Sequence, residues 1–218
     1  ADIEIAVMEL PGRGRRFGEP LIPGLPEVIS QLNRSIQPLL DRPYAFFGHS
    51  IGALIAFELA RAVTARGGRL PEVLMVSGKR APQLPHDHRL HLLPDPELIE
   101  ALEDYNGTPA DVLRNKELMD LLLPVLRADF SLAETYVHRS GAPLECPIHA
   151  FGGREDGGVK EACLRDWRIH ASHSFHLDMF DGDHFFIQGA GRVATARRVA
   201  DVLERWCPQP SRSVPVLA

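Results

Sequence analysis

A length of 218 residues suits one α/β domain better than two. The balance of 44% hydrophobic to 24% charged residues is that of an ordinary globular chain, and a formal net charge of -5 argues against a nucleic-acid binder while being too mild for a disordered acidic one. No run reaches the roughly 18 apolar residues that a membrane helix needs, so no membrane association is expected.

Along the chain, "DIEIAVMEL" (residues 2–10) partly alternates and is rich in β-branched residues, which predicts a strand. A turn-rich loop, "PGRGRRFGEP", follows. Leu25, Val28, Ile29, Leu32, Ile36, Leu39 and Leu40 then recur at three- and four-residue steps, predicting an amphipathic helix with Pro26 in its first turn and Pro38 disturbing its last. "YAFFG" (44–48) is a short apolar strand. Next comes "GHSIG" (48–52), and then a helix to about Ala65 that is apolar on most sides.

That junction has a chemical reading. A strand turning sharply into a helix leaves one residue exposed at a strained apex, and small neighbours at Gly48 and Gly52 keep the two elements from colliding. Ser50 stands at this apex as a nucleophile, and the amide of Ile51, at the helix start, is placed to stabilise an oxyanion. His49 reads as a packing residue.

"EVLMVSG" (72–78) is the next buried strand. From about residue 86 to 138 the alternation of strand and helix breaks into helices alone, predicting an inserted lid over the strand ends. Asp95 before Pro96 is its first cap. "TPAD" (108–111) reads as a capping box with Pro109 at the first helical position, and Pro124 predicts a kink or restart. "PIHAFGG" (147–153) is a strand, followed by a helix over 160–171, and "SFHLDMFDG" (174–182) is another strand. The last helix carries Val199, Val202, Leu203 and Trp206 on one stripe. Residues 208–218 have no period and read as a flexible tail. The whole predicts a single α/β-hydrolase domain over residues 1–207, a mostly parallel sheet with helices on both faces and a helical lid insertion.

A serine nucleophile needs a base and an orienting carboxylate, in this fold in the order serine, acid, histidine. Of the 10 histidines, His184 in "GDHFFI" follows the last strand, where a loop returns a ring towards Ser50. His86, His88 and His91 precede the lid, and His170, His173 and His176 lie near a helix end and the next strand; no metal-ligand spacing links them. For the acid, "FGGREDGGV" supplies Asp156 and Glu155. Asp156 lies deeper in the turn with the shorter side chain and is preferred, while Asp181 and Asp183 read as shaping the histidine loop. Cys146, Cys163 and Cys207, without paired spacing, read as free thiols of a reducing, cytoplasmic compartment, and no secretory signal opens the chain.

Taken together, "LPGRGRR", "FFGHSIGALIAFELA", "GTPADVL", "LLLPVLRADFSLAETY", "CPIHAFGGREDG" and "GDHFFI" resemble the stand-alone type II thioesterases that accompany polyketide and nonribosomal peptide synthetases. The segment with "RADF" is the specific part of the likeness; the elbow is common to α/β hydrolases. The resemblance implies Ser50, Asp156 and His184 as the triad, no cofactor, and an acyl group delivered on the phosphopantetheine arm of an acyl or peptidyl carrier protein. Two departures stand out. Members of the family begin with a strand and a loop reading like "FPHAGG", which supplies a second oxyanion donor; nothing here corresponds, so that strand reads as missing and that donor is expected upstream of this chain. Gly157 stands where a proline often follows the acid. Arg13, Arg15, Arg16, Lys79 and Arg80 fall at strand ends on the active-site side and are candidates for docking the carrier or its phosphate. A general carboxylesterase and a non-catalytic carrier-binding module are the alternatives.

Overall fold

A computed structural model describes residues 3–85, 89–105 and 107–207. Four strands, β1 (Ala45–His49), β2 (Val73–Ser77), β3 (Ile148–Gly153) and β4 (Phe175–Phe180), lie side by side in chain order, and every pairing is parallel. Every residue of β2 and β3 is buried, which is why their sequences do not alternate; the polar members, Ser77 and His149, are bonded to His49 and Asp178. Successive residues still face opposite sides. Leu74 and Val76 meet Ala53, Ala56 and Phe57 of α2 (Ile51–Ala65), whereas Val73 and Met75 meet Val202 of α7 (Arg192–Trp206). The sheet is thus covered on both faces, with Val199, Leu203 and Trp206 of α7 packed where the stripe predicts.

Helix α1 (Leu25–Ile36) buries Leu25, Val28, Leu32 and Ile36 against the outer side of α2. It ends one turn before the sequence stripe does, because Pro38 lies in a 3-10 turn, Gln37–Leu39. The apolar character of α2 on most sides follows from its two contacts: one face lies on the sheet and the other on α1.

Between β2 and β3 stand α3 (Asp95–Tyr105), α4 (Ala110–Leu113) and α5 (Lys116–Glu134), which share a core of their own around Leu98, Leu102, Leu113, Met119 and Leu123. Helix α3 begins at Asp95 itself. Pro109 caps α4 with no side-chain bond, so the expected capping box does not form. Helix α5 is continuous through Pro124 instead of restarting there; Met119, Leu123, Leu132 and Ala133 are buried along it on both sides of the proline.

Two other expectations need correction. Residues 3–10 form no strand, and Ile5 and Val7 are 82% and 83% exposed. β-branched alternation supplies propensity, but a strand exists only through a ladder, and no described strand lies beside this segment. The helix expected over 160–171 is α6 (Glu161–Arg165) followed by a tighter 3-10 stretch, Asp166–His170. His86, His88 and the tail at 208–218 lie outside the described residues.

Candidate active site

Ser50 has φ of 52° and is the sole non-glycine residue with positive φ among the described residues. An L-residue in that conformation is strained by on the order of 1–3 kcal/mol. It persists here because both flanks are fixed: β1 leads in, α2 starts at Ile51, and the Ser50 amide donates to the Ser77 carbonyl at 2.8 Å. Ser50 caps α2 by position but makes no side-chain cap bond, so helix capping does not occupy its hydroxyl. The Ile51 amide is among the helix-start donors that have no intrahelical acceptor.

The two glycines of the motif differ. A Cβ on Gly48 would overlap the Gly52 carbonyl, so close strand–helix approach requires glycine there. A Cβ on Gly52 would meet nothing within 4 Å, so the expected steric need does not hold at that position.

The turn after β3 carries Asp156 and the turn after β4 carries His184, and the parallel pairing of these strands brings the two turns together. His184 Nδ1 lies 2.8 Å from Asp156 Oδ2. Asp156 Oδ1 accepts from the amides of Gly158 and Val159 at 2.9 Å each. Burial, at 3% exposure, pushes the Asp156 pKa up; the hydrogen bond and charge of His184 and the two amides outweigh it, and the net shift is downward. An ionised carboxylate only accepts, which assigns the proton to His184 Nδ1 and leaves Nε2 as a base. The imidazole also reaches the elbow, its centroid lying 5.0 Å from that of His49, the residue before Ser50.

Glu155, the rival acid, accepts from the Gly182 amide and so shapes the histidine loop from outside. Asp183 accepts from the Phe185 amide at 2.8 Å within that loop.

The inserted helices cover this pair. Tyr105, at the end of α3, stands edge-on to His184 at 5.8 Å, and Phe130 of α5 packs against Tyr105 at 5.8 Å. Gly107 lies so close to Phe185 that a Cβ would overlap its ring. Three side chains of α5 that sequence reasoning left without roles tie the insertion together and to the rest of the chain. Arg127 donates to the carbonyls of His91 and Leu93 and to Asp95, and Glu134 accepts from the amides of Leu90 and His91. Asp129 makes a two-bond ion pair with Arg13, at 2.7 and 2.9 Å.

The basic candidates separate accordingly. Arg13 is engaged with Asp129, and Arg16 binds Glu19 and the Glu9 carbonyl. Arg80 donates to the Pro85 carbonyl. Lys79 is buried, 8% exposed, instead of lying on a basic rim, and burial pushes its pKa down to about 8. Arg15 stands 3.8 Å from Glu9, with a side chain 96% exposed. Among the described residues no group of three His, Cys, Asp or Glu side chains is arranged to hold a metal ion, and no helix is long and apolar enough to cross a membrane.

Comparison with known proteins gives a consistent result. The thioesterase domain family matches residues 1–206. The gramicidin S biosynthesis protein GrsT of Aneurinibacillus migulanus is 45% identical over 187 residues, covering 85% of this chain and 73% of its own. Among solved structures, the RedJ thioesterase from the prodiginine pathway of Streptomyces coelicolor superposes with a TM-score of 0.85 at 34% identity, covering 89% of this chain and 77% of its own. YbtT, a type II thioesterase from the yersiniabactin NRPS/PKS pathway, does so at 0.80 and 31%, covering 91% and 80%.

Proposed function

The chain belongs to the thioesterase domain family, an α/β-hydrolase whose relatives include type II thioesterases of nonribosomal-peptide and polyketide pathways, and from that membership we propose that Ser50, His184 and Asp156 are its catalytic triad. The substrate we assign is an acyl group held as a thioester on the phosphopantetheine arm of an acyl or peptidyl carrier protein. The observation that carries the reading is the Asp156–His184 hydrogen bond, 2.8 Å long, beside a serine held at φ 52°.

In the first half-reaction His184 Nε2 takes the Ser50 proton as Oγ attacks the thioester carbonyl. Asp156 keeps the proton on Nδ1 and offsets the imidazolium charge. The Ile51 amide donates to the oxyanion. Collapse breaks the C–S bond, and the departing thiolate, whose thiol has a pKa near 8.5, takes the proton from the imidazolium, so His184 is a neutral base again. Water then gives its proton to His184 as it attacks the acyl-serine carbonyl, and as the C–O bond to Ser50 breaks the imidazolium returns that proton to Oγ, releasing the acid and restoring both side chains. The insertion serves as a lid whose Tyr105 lies over the base. Arg15 is the residue best exposed to meet an acidic carrier surface. Residues 1–207 make one domain that works in the cytoplasm, with no cofactor.

The test is hydrolysis of an acyl-loaded carrier protein and of an aryl ester of the same acid, with a fluorophosphonate probe for the serine. Labelling at Ser50 that disappears in Ser50→Ala, with loss of thioesterase activity, is the expected result; a Ser50→Ala chain hydrolysing thioesters at the parent rate would falsify the triad. A higher kcat/KM on the free ester would make the protein a general esterase. Absence of labelling and turnover would leave a carrier-binding module.

A further inference from the structure

His49 belongs to the elbow, yet the triad does not use it. Its ring faces inward and meets three successive residues of the histidine loop: His184, Phe185 and Phe186, at 5.0, 6.2 and 5.8 Å between centroids. On the other side its Nδ1 lies 2.9 Å from Ser77 Oγ, at the end of β2. Gly78, the next residue, has φ of 57°, and a Cβ there would stand 2.6 Å from His49 Cε1 and 3.4 Å from His184 Cε1. The strand end is thus bare where both imidazoles sit.

This placement ties the base to the nucleophile. His49 is joined to Ser50 by a peptide bond, so a contact that fixes its ring against His184 also fixes the catalytic ring relative to the serine. An apolar ring would fill the same space at lower cost, because His49 Nε2 is buried without a hydrogen-bond partner. What imidazole adds is the bond to Ser77, which sets the plane of the ring. Burial, reinforced by the neighbouring His184, pushes the His49 pKa down to about 4, so at neutral pH it carries no charge to oppose an imidazolium beside it.

We propose that His49 is a positioning residue: a neutral imidazole, anchored on Ser77, that holds the His184 ring in register with Ser50. The inference rests on the triad reading given above, and the test separates the two.

The parent chain is first labelled with the fluorophosphonate; failure to label sinks the triad reading itself. His49→Ala, His49→Asn and His49→Phe are then compared by steady-state kinetics on acyl-pantetheine and by the low-field proton resonance of His184 Nδ1–H. A displacement of about 1 Å costs on the order of 100-fold. For the smaller loosening expected in His49→Ala, kcat should fall by roughly tenfold with KM within about twofold, and the resonance should broaden. His49→Asn, whose amide nitrogen can still bond Ser77, should recover most of the loss, and His49→Phe should not. A labelled parent with a His49→Phe variant at parent kcat and a sharp resonance would show that the ring merely fills space and overturn the proposal. If His49→Ala does not fold, Ser77→Ala removes the anchor from the other side. A broadened resonance and a kcat several-fold down then support positioning, and parent-like values of both overturn it.

Discussion

Replacing Asp156 by asparagine preserves shape almost perfectly, which makes its expected effect informative. The two carboxylate oxygens have different duties: Oδ1 accepts from the amides of Gly158 and Val159, and Oδ2 faces His184 Nδ1. An asparagine has one oxygen to offer. Turned towards the two amides, it satisfies both but presents its NH2 to Nδ1, so Nδ1 must become the acceptor and the proton moves to Nε2. That tautomer cannot take a proton from Ser50. The opposite rotamer restores the correct tautomer but sets NH2 against two N–H groups, leaving the buried Val159 donor unpaired at about 1–3 kcal/mol and the half-buried Gly158 donor turned to a second donor. The backbone therefore selects the inactive tautomer. The same substitution in a serine protease triad costs ~10⁴-fold in kcat, about 5 kcal/mol of barrier. We expect a loss of that order for Asp156→Asn in single-turnover thiol release from an acyl-pantetheine, with the melting temperature confirming a folded chain. Asp156→Ala should do no worse than Asp156→Asn, since water can replace the lost oxygen and either tautomer becomes accessible. An asparagine variant within tenfold of the parent, or more than tenfold better than alanine, would refute the tautomer argument.

Three further outcomes follow from the packing. A double-mutant cycle on Arg13→Ala and Asp129→Ala should give a coupling of about 1–2 kcal/mol, above that of an exposed pair because the bond is two-pronged and half-buried; additive losses in urea melts would contradict it. Gly48→Ala should cost about 1–3 kcal/mol or prevent folding, since its Cβ meets backbone that cannot yield, while Gly52→Ala should hold or raise stability because its Cβ meets nothing and alanine favours helix. Equal melting temperatures for the two would refute this. Burial pushes the His170 pKa down from 6.5 to about 4, so between those values the unfolded chain binds a proton that the folded one refuses. Stability should therefore fall as pH drops through that window, by up to about 1.4 kcal/mol per pH unit. His170→Phe should flatten the slope in urea melts at pH 6.5, 5.5 and 4.5; parallel slopes would sink the assignment.

The elements best legible in the sequence are those whose determinants are local. The elbow is one: an apolar run, a glycine forced by the approach of Gly52, and an apolar helix leading out are all within residues 44–65. Asp156 and His184 were legible because parallel strands put their C-terminal turns at one edge, so the turn after each strand is where chemistry collects. What stayed hidden depends on partners distant in the chain. The burial of Lys79 comes from a fold that no local pattern encodes. Residues 3–10 show the converse failure, strand propensity without a neighbour to form a ladder. His49 was read as packing, which is correct as far as it goes, but nothing local says that the packed partner is His184.

The motif that carried the family resemblance, "RADF", can now be given a mechanical reason. At 100° per residue, Arg127 and Glu134, seven apart, share a face of α5, whereas Asp129 projects about 160° away from Arg127 and Phe130 about 60°. The shared face grips the segment leading into α3, each residue by the groups its charge can bind: Arg127 takes the carbonyls of His91 and Leu93, and Glu134 takes the amides of Leu90 and His91. Asp129, on the far side, reaches Arg13 in the core, and Phe130 supports Tyr105 above His184. These bonds divide into two sets. Those of Arg127 and Glu134 lie within the insertion, while the Arg13–Asp129 pair, the Tyr105–His184 contact and the Tyr136–Glu58 bond, at 2.7 Å, join it to the core. The attachment is apolar as well as polar: Leu132 of α5 is buried with Leu25, Val28 and Leu32 of α1 and with Leu54 of α2, whereas the leucines around Leu98 form a separate cluster within the insertion. One helix thereby carries both the bonds that make the insertion cohesive and the contacts that fix it to the rest of the domain.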